Sequence, residues 1–153
     1  MTEKVILRWQ DIFVQTDAIV KQIEAGTERF TRVVGIRNGG VIPAKRIALL
    51  LDVPYSDIRI SFYKGTDIQT KISSDSISEN ELAQLFNWEV EHVLFVDDLI
   101  DSGRTIKWLE KVLTKNNVEN YSIAALYAKK ISKNKYIGSR KPEGWLVFPW
   151  EES

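Results

Sequence analysis

Apolar positions along the chain follow two alternating patterns, and together they predict strands that alternate with helices. Runs rich in β-branched and aromatic residues predict strands at 5–7, 31–36, 55–63, 92–96 and 121–128, with a last extended segment at 144–150. Helical spacing predicts a first helix closed by Gly26, and further helices over 43–51 and from about Thr105 to Thr114. This alternation predicts a doubly wound, mainly parallel α/β sheet flanked by helices.

Two of these helices have a defined buried face, and a fourth, shorter helix has a defined start. The apolar positions expected to face the core are Ile12, Phe13, Ala18, Ile19 and Ile23 in the first helix, and Ile106, Leu109, Val112 and Leu113 in the last. Ser78 and Glu81 form a capping box that predicts a short helix directly after them. Residues 64–78 before it are polar and aperiodic, which is typical of a functional lid or of disorder.

Two turns whose residues are suited to ligand binding follow predicted strands. "RNGG" (37–40) follows the strand at 31–36, and "DDLIDSGRT" (97–105) follows the strand at 92–96. Ligands of parallel α/β sheets bind at the carboxyl ends of the strands. Both turns are therefore expected at the same functional edge.

The second turn combines acidic groups with an anion-binding pattern. Asp97 and Asp98 are adjacent on an extended chain, so their side chains are expected on opposite faces of the strand. Such a pair does not form an acid/base dyad. It is suited instead to binding vicinal hydroxyls and a hydrated Mg²⁺. Residues 101–105 supply small side chains, a glycine and two hydroxyls just before a helix, where backbone N–H groups favour phosphate. A ribose 5-phosphate carries a diol and a phosphate at its two ends and would use both halves.

Other motifs compete for the same stretch. A P-loop requires a glycine five positions before the Gly of its G-K-[ST], and the residue at that distance from Gly103 is Asp98; no G-x-G-x-x-G is present. The simplest alternative is an acidic strand end that caps the next helix through Asp101 or Ser102.

Composition narrows the classes of partner. Lys plus Arg and Asp plus Glu are equal at 21 each, so no net field favours nucleic acid or a membrane surface. The chain has no cysteine and a single histidine, His92, which excludes thiolate catalysis and cysteine or histidine metal clusters. The amino terminus lacks a signal-peptide pattern and no apolar run approaches the ~18 residues of a membrane span, so a soluble cytoplasmic protein is expected.

The stretch "VLFVDDLIDSGRT" resembles the 5-phosphoribosyl 1-pyrophosphate (PRPP) signature of type I phosphoribosyltransferases. Over nearly the whole chain the sequence is similar to the short bacterial xanthine-guanine phosphoribosyltransferases. The further matching features are Trp9, the Gly-Gly-x-x-Pro loop Gly39–Pro43, Ser61 and Tyr63, Ala128–Lys129, Trp145, and Pro149–Glu151.

This resemblance implies an enzyme that joins a 6-oxopurine (hypoxanthine, guanine or xanthine) to the phosphoribosyl group of PRPP and releases pyrophosphate, with Mg²⁺ as cofactor. Asp97 and Asp98 would hold the ribose hydroxyls and the metal, and the 5′-phosphate would bind to Asp101, Ser102, Gly103, Arg104 and Thr105. Asp101 would also handle the proton on the purine N7. A pyrophosphate loop, often with a non-proline cis peptide, would be formed by Arg37, Asn38, Gly39 and Gly40. The base would meet Lys129 at its 6-oxo group, Trp145 by stacking, and the backbone of Leu146 and Glu151.

The resemblance also implies one domain over 1–153, with a mobile loop at 64–78, a hood over 129–153 and assembly into a homodimer or homotetramer. The family usually has a basic residue immediately before the Gly-Gly pair, whereas this chain has Asn38 there and Arg37 one position earlier.

Several alternatives stay open on the residues alone. Residues 129–141 carry six basic residues and no acid, which is typical of a solvated loop, and Trp150 fits a core or interface aromatic. A regulatory protein that senses PRPP without catalysis is the alternative function. An acyl- or phosphoryl-transfer enzyme is opposed by the missing nucleophile constellation and P-loop.

Overall fold

The structure, a computed structural model, describes residues 3–62 and 76–151. Its elements follow in the order β1 (Lys4–Ile6), α1 (Trp9–Ala25), β2 (Arg32–Arg37), α2 (Val41–Leu51), β3 (Tyr55–Arg59), α3 (Glu79–Ala83), β4 (Val93–Ile100), α4 (Arg104–Lys115), β5 (Tyr121–Ala128), β6 (Lys135–Arg140) and β7 (Trp145–Val147). Among these described residues, no helix has the length and apolar character needed to cross a membrane.

The main sheet confirms the predicted fold class. Five parallel strands lie in the order β3-β2-β4-β5-β6, with α1 and α2 packed on one face and α3 and α4 on the other. After β2 the chain moves outward to β3, then crosses back to β4 on the other side of β2. The carboxyl ends of β2 and β4 therefore flank the switch point at which such sheets bind ligands.

Strand β4 forms the centre of the core. Val93 and Phe95 pack into the cluster that includes α4, while Leu94 and Val96 pack into the cluster that includes α1 and α2, and all four are fully buried. A strand covered on both faces is expected to be continuously apolar, as this run is.

Strand β4 is longer than the sequence predicts. Its pairing with β2 ends at Val96, opposite Gly35, but its pairing with β5 continues to Ile100, opposite Ala128. The predicted loop at 97–100 is thus an extension of the strand, bonded on one side only. On the open side, β2 has already turned into the glycine loop, and this divergence creates the functional cleft.

The segment 129–141 contains a strand that the sequence analysis did not predict. Lys135–Arg140 pairs in parallel with β5 as the edge strand β6, so the prediction of a solvated loop is wrong for these residues. Ile137 is its buried apolar residue, and charged side chains at an edge strand are a common protection against pairing with other chains. With one buried position, the strand has too weak an alternation to be read from sequence.

The last strand forms a small second sheet with the first. β7 pairs in parallel with β1, with Val5 opposite Leu146, and Leu7 N–H donates to Val147 C=O at 2.9 Å. The amino-terminal strand thereby fixes the position of the carboxy-terminal segment over the main sheet.

The helices largely confirm the expected faces, with one exception. The α4 stripe is buried as predicted, and Ser78 and Glu81 form the expected capping box of α3. Phe13 of α1 is instead 45% exposed, and the Arg46 guanidinium lies 4.8 Å from its ring centroid. Thr16 takes the buried position, where its hydroxyl donates to Ile12 C=O at 2.9 Å.

The polar segment is described at its two ends. Strand β3 ends at Arg59 rather than continuing to 63, and Ser61 Oγ lies 2.8 Å from Ser76 Oγ. The predicted mobile loop lies for the most part outside the described residues.

A polar network ties the amino ends of the strands together at the edge opposite the cleft. The Glu28 carboxylate accepts hydrogen bonds from Ser122 Oγ at 2.6 Å and Tyr136 Oη at 2.5 Å, and lies 2.6 Å from His92 Nε2. Burial by itself would raise the pKa of Glu28, but these hydrogen bonds and His92 outweigh it and lower the pKa below its usual value.

We expect Glu28→Gln to lower the free energy of unfolding by about 1–3 kcal/mol at neutral pH, because it weakens hydrogen bonds to a charged acceptor. A carboxyl group with a lowered folded-state pKa stabilises the fold above its unfolded pKa, and that contribution is lost as pH falls through the folded pKa. Denaturant unfolding at a series of pH values would measure this. Glu24→Gln, at an exposed α1 position, is the control, and equal effects of the two substitutions would contradict the network's role.

Candidate functional site

A cleft of about 350 Å³ opens at the carboxyl end of β4. One wall consists of residues 97–106, and the other consists of Lys141, Gly144, Trp145, Leu146, Phe148 and Glu151. The cleft thus brings together the acidic strand end, the turn predicted to bind phosphate, and Trp145, Leu146 and Glu151 of the predicted base site.

The two adjacent aspartates interact with each other, contrary to the sequence analysis, which placed them on opposite faces. Asp97 Oδ1 accepts a hydrogen bond from the Asp98 backbone N–H at 2.8 Å, so the Asp97 side chain turns toward the next residue of the strand. Aspartate commonly makes such local bonds where backbone pairing becomes one-sided, as it does here beyond Val96. Both carboxyl groups therefore line the same cleft.

This arrangement holds negative charge in a confined place. Burial raises the pKa of Asp97 well above its usual range, and the neighbouring Asp98 charge raises it further. Burial also raises the pKa of Asp98, and the charge of Glu151 adds to that effect. The site is consequently suited to groups that relieve the repulsion, namely hydroxyl donors and cations.

Asp97 and Asp98 also fit a cation that takes most of its ligands from water and substrate. Within residues 3–62 and 76–151, no group of three or more His, Cys, Asp or Glu side chains is placed to hold a metal ion. Mg²⁺ commonly binds through one or two carboxylates together with water and substrate phosphate oxygens. Asp97 and Asp98 supply that donor set.

The turn at 101–105 ends in the first turn of α4. Gly103 is the N-cap residue, with a left-handed φ of 79°, which disfavours any side chain there. The Arg104 N–H donates to Ser102 Oγ at 3.3 Å. Gly103 occupies the cap and Asp101 is exposed in the cleft, so the alternative in which Asp101 caps the helix is wrong, whereas Ser102 does accept a hydrogen bond from the first helical residue. The other N–H groups of the first helical turn have no partner within the helix, and such groups favour an anion.

The glycine loop lies directly against the acidic pair. A Cβ atom on Gly39 would lie 1.9 Å from Asp98 Oδ2, and one on Gly40 would lie 2.2 Å from the Val96 carbonyl oxygen. The Arg37–Asn38 peptide bond is cis. The predicted loop 37–40 and the predicted carboxylates therefore form adjoining walls.

The Arg37 side chain, at the start of the glycine loop, forms an ion pair with the neighbouring strand. Its Nε lies 3.0 Å from Asp57 Oδ1 on β3, and Asp57 Oδ2 also accepts a hydrogen bond from the Tyr55 hydroxyl at 3.2 Å. The charge of Arg37 is therefore balanced from the neighbouring strand.

The carboxy-terminal wall carries the expected aromatic face. Trp145 is 65% exposed, whereas Leu146 is buried beneath it. The Glu151 N–H donates to Phe148 C=O at 3.0 Å, which closes a turn over the cleft. Trp150 is half-buried, stacks on Phe148 with ring centroids 4.9 Å apart and packs against the core, which agrees with the prediction of a core or interface aromatic.

Two lysines differ from expectation in their placement. Lys129 is exposed at the end of β5 and is not among the residues that line the cleft, although its N–H donates to Ile100 C=O at 2.9 Å. Lys141 lines the cleft instead, and its Nζ donates to the Gly144 carbonyl at 2.7 Å, just before Trp145. The basic run at 129–141 was visible in the sequence, but which lysine reaches the cleft depends on the course of β6.

The geometry defines an α/β protein with an acidic cleft at the switch point of its parallel sheet. The pattern of the family described as "Phosphoribosyl transferase domain" matches residues 4–152, and the chain belongs to this family.

Individual relatives agree with this assignment. A xanthine-guanine phosphoribosyltransferase of Desulfotalea psychrophila is 29% identical over 126 residues, which span 80% of this chain and 71% of that protein. The crystal structure of a purine phosphoribosyltransferase from Pyrococcus horikoshii superposes with a TM-score of 0.76 at 28% identity, covering 98% of this chain and 95% of that one. The Helicobacter pylori xanthine-guanine-hypoxanthine phosphoribosyltransferase shares the fold, with a TM-score of 0.73 at 20% identity over 97% of this chain and 94% of its own.

The contact between Gly39 and Asp98 can be tested without any ligand. Gly39→Ala should lower the free energy of unfolding by about 1–3 kcal/mol, the usual cost of overpacking, because the added methyl group overlaps the Asp98 carboxylate. In an Asp98→Ala background, which removes the three nearest atoms, most of that loss should disappear. Gly26→Ala, where a Cβ has ordinary contact distances, is the control. Additive losses in the double variant would contradict the described contact.

Proposed function

We propose that this chain is a Mg²⁺-dependent purine phosphoribosyltransferase that transfers the 5-phosphoribosyl group from PRPP to a 6-oxopurine: hypoxanthine, guanine or xanthine. The observation that carries the proposal is one cleft in which an acidic pair, the glycine turn at the start of α4 and an exposed tryptophan adjoin. The names of the similar proteins support the choice of a purine with a 6-oxo group as the base that accepts the phosphoribosyl group.

PRPP would span the cleft from the turn to the glycine loop. The amides of 102–105 and the Thr105 hydroxyl would bind its 5′-phosphate at the start of α4. The Asp97 and Asp98 carboxylates would accept hydrogen bonds from the ribose hydroxyls. The pyrophosphate would then reach the loop 37–40, which lies against Asp98.

The bound metal would be held by Asp97 and Asp98 together with PRPP oxygens, and it would supply positive charge near the pyrophosphate. The protein itself needs no covalent nucleophile. It orients the base and C1′, provides loop amides to the leaving group, and limits water access.

In the transfer step the bond from C1′ to the pyrophosphate oxygen breaks and a bond from C1′ to the purine N9 forms. The transition state resembles a ribose oxocarbenium ion, as in glycoside cleavage. Pyrophosphate leaves with the electron pair, and the N7 proton of the purine passes to the Asp101 carboxylate. Asp101 lies in the cleft and is not used as a helix cap, which supports this role.

The base would lie against the carboxy-terminal wall. Trp145 would stack on the purine, and backbone groups at Leu146 and Glu151 would meet its 2-position. Lys129, which is exposed outside the cleft lining, would have to turn its flexible side chain toward the cleft to donate to the 6-oxo oxygen. The proposal also includes the homodimer or homotetramer that the resemblance implies, which light scattering would detect.

The proposed reaction is tested by incubating the protein with PRPP, Mg²⁺ and single bases and following pyrophosphate release. We expect release with hypoxanthine, guanine or xanthine, little with adenine, and strong reduction by EDTA. PRPP binding without release for any base would instead indicate a non-catalytic PRPP sensor. Release without any base, or with adenine alone, would contradict the proposed substrate class.

The role of Asp101 gives a second, residue-level prediction. Asp101→Asn keeps shape and hydrogen bonding but cannot accept the N7 proton, so turnover should fall by roughly 10²–10⁴-fold, the usual worth of a positioned base. PRPP affinity should change much less, because the backbone amides of the turn remain. Asp52→Asn, at the exposed end of α2, is the control. Wild-type turnover in Asp101→Asn would refute the assignment.

A further inference from the structure

The glycine loop of the proposed pyrophosphate site has an unusual charge arrangement. Its own cationic side chain, Arg37, lies beside Asp57 at 3.0 Å, and the next residue is the neutral Asn38. A pyrophosphate group carries several negative charges, and Asp98 lies directly against Gly39 in the same loop. Positive charge must therefore reach the loop from another element or from a bound cation.

A second arginine is fixed at this loop by the neighbouring strand. Arg59, the last residue of β3, lies opposite Arg37 in the parallel pairing of β2 and β3. Its Nη2 donates a hydrogen bond to Asn38 Oδ1 at 3.1 Å. The two paired arginines are thus directed to different acceptors, Arg37 to Asp57 and Arg59 to Asn38.

The bond between Arg59 and Asn38 determines which end of the Asn38 amide is available. A guanidinium can only donate, so it requires the carbonyl oxygen of Asn38 on its own side. The Asn38 NH₂ group, a double donor, is then directed away from Arg59. The neutral Asn38 side chain thus presents a hydrogen-bond donor that is polarised by the permanent positive charge of Arg59.

The backbone of Arg59 makes bonds of its own, apart from the contact of its side chain with Asn38. The Ile77 N–H donates to the Arg59 carbonyl at 2.8 Å, and Arg59 forms an isolated parallel bridge with Ser76. These bonds do not involve the guanidinium. Substitution of the side chain is therefore expected to leave the anchoring of residues 76 and 77 intact.

We infer that Arg59 is the positioning residue of the pyrophosphate subsite, where it orients Asn38 and supplies the positive charge that the loop lacks. This inference rests on the proposed function, and it names a residue outside every motif of the sequence. Arg59 acts through Asn38 on the leaving group and has no part in binding the 5′-phosphate, which belongs to the turn at 101–105.

The test compares ligands that contain pyrophosphate with one that does not. Arg59→Gln should raise the KM for PRPP and the inhibition constant of free pyrophosphate by roughly 10- to 100-fold, the loss expected for a charge-assisted hydrogen bond. The affinity for ribose 5-phosphate, measured by calorimetry, should change less than about 2-fold. Arg59→Lys, which keeps the charge but not the planar fork, should recover part of the loss.

Two controls separate this role from general effects. Lys45→Gln removes one positive charge from an exposed α2 position near Tyr55 and should leave both pyrophosphate constants within about 2-fold. In a cycle with Asn38→Ala, the two substitutions should be strongly non-additive, because both interrupt one chain of contacts.

The outcomes for the inference and for the proposed function are distinct. If the wild-type protein releases no pyrophosphate with any base, the proposed function fails. If the wild type is active but Arg59→Gln binds PRPP and pyrophosphate normally, or loses ribose 5-phosphate equally, the inference fails and the function stands.

Discussion

The close contact of the Asp98 carboxylate with the backbone of Gly39 is the constraint on which the site depends. It exists because β4 continues four residues beyond its last pairing with β2, while β2 ends and its chain turns into the glycine loop. A Cβ at Gly39 or Gly40 would overlap β4 atoms at about 2 Å, so any side chain at either position would separate the two walls. The strand pairing, the glycines and the acidic residues are therefore parts of one arrangement.

That arrangement holds the two carboxylates in an environment where their charge is unfavourable. Burial raises the pKa values of both Asp97 and Asp98, the charge of Asp98 raises that of Asp97 further, and the charge of Glu151 adds to the effect at Asp98. Ligands that bring hydroxyl donors or a cation relieve this repulsion and gain differential affinity from it. On the other side of the loop, Asp57 balances the charge of Arg37, and the Arg59–Asn38 contact brings a guanidinium to the loop. The two sides of the glycine loop thus differ in charge, with the acidic pair on one side and Arg59 on the other.

The sequence predicted well whatever depends on contiguous residues. The buried run Val93–Val96 and the α4 stripe follow from periodicity, and the turn at 101–105 lies in one stretch beside the acidic pair. Features that depend on tertiary pairing were not predictable in the same way. The continuation of β4 depends on β5 as its partner, the edge strand β6 has little alternation, and the β1–β7 sheet joins the two ends of the chain. Lys141 follows the unpredicted strand β6, and Arg59 comes beside the glycine loop only through the pairing of β3 with β2, so no motif identified either residue.

The central claim is that one ligand spans the cleft from the start of α4 to the glycine loop. A crystal structure of the protein with Mg²⁺ and a non-reactive PRPP analogue measures this most directly. The account predicts the 5′-phosphate on the amides of 102–105, the ribose hydroxyls on Asp97 and Asp98, and the pyrophosphate beside 37–40. A phosphate bound on the opposite edge of the sheet, or an analogue that leaves the acidic pair without contacts, would contradict it.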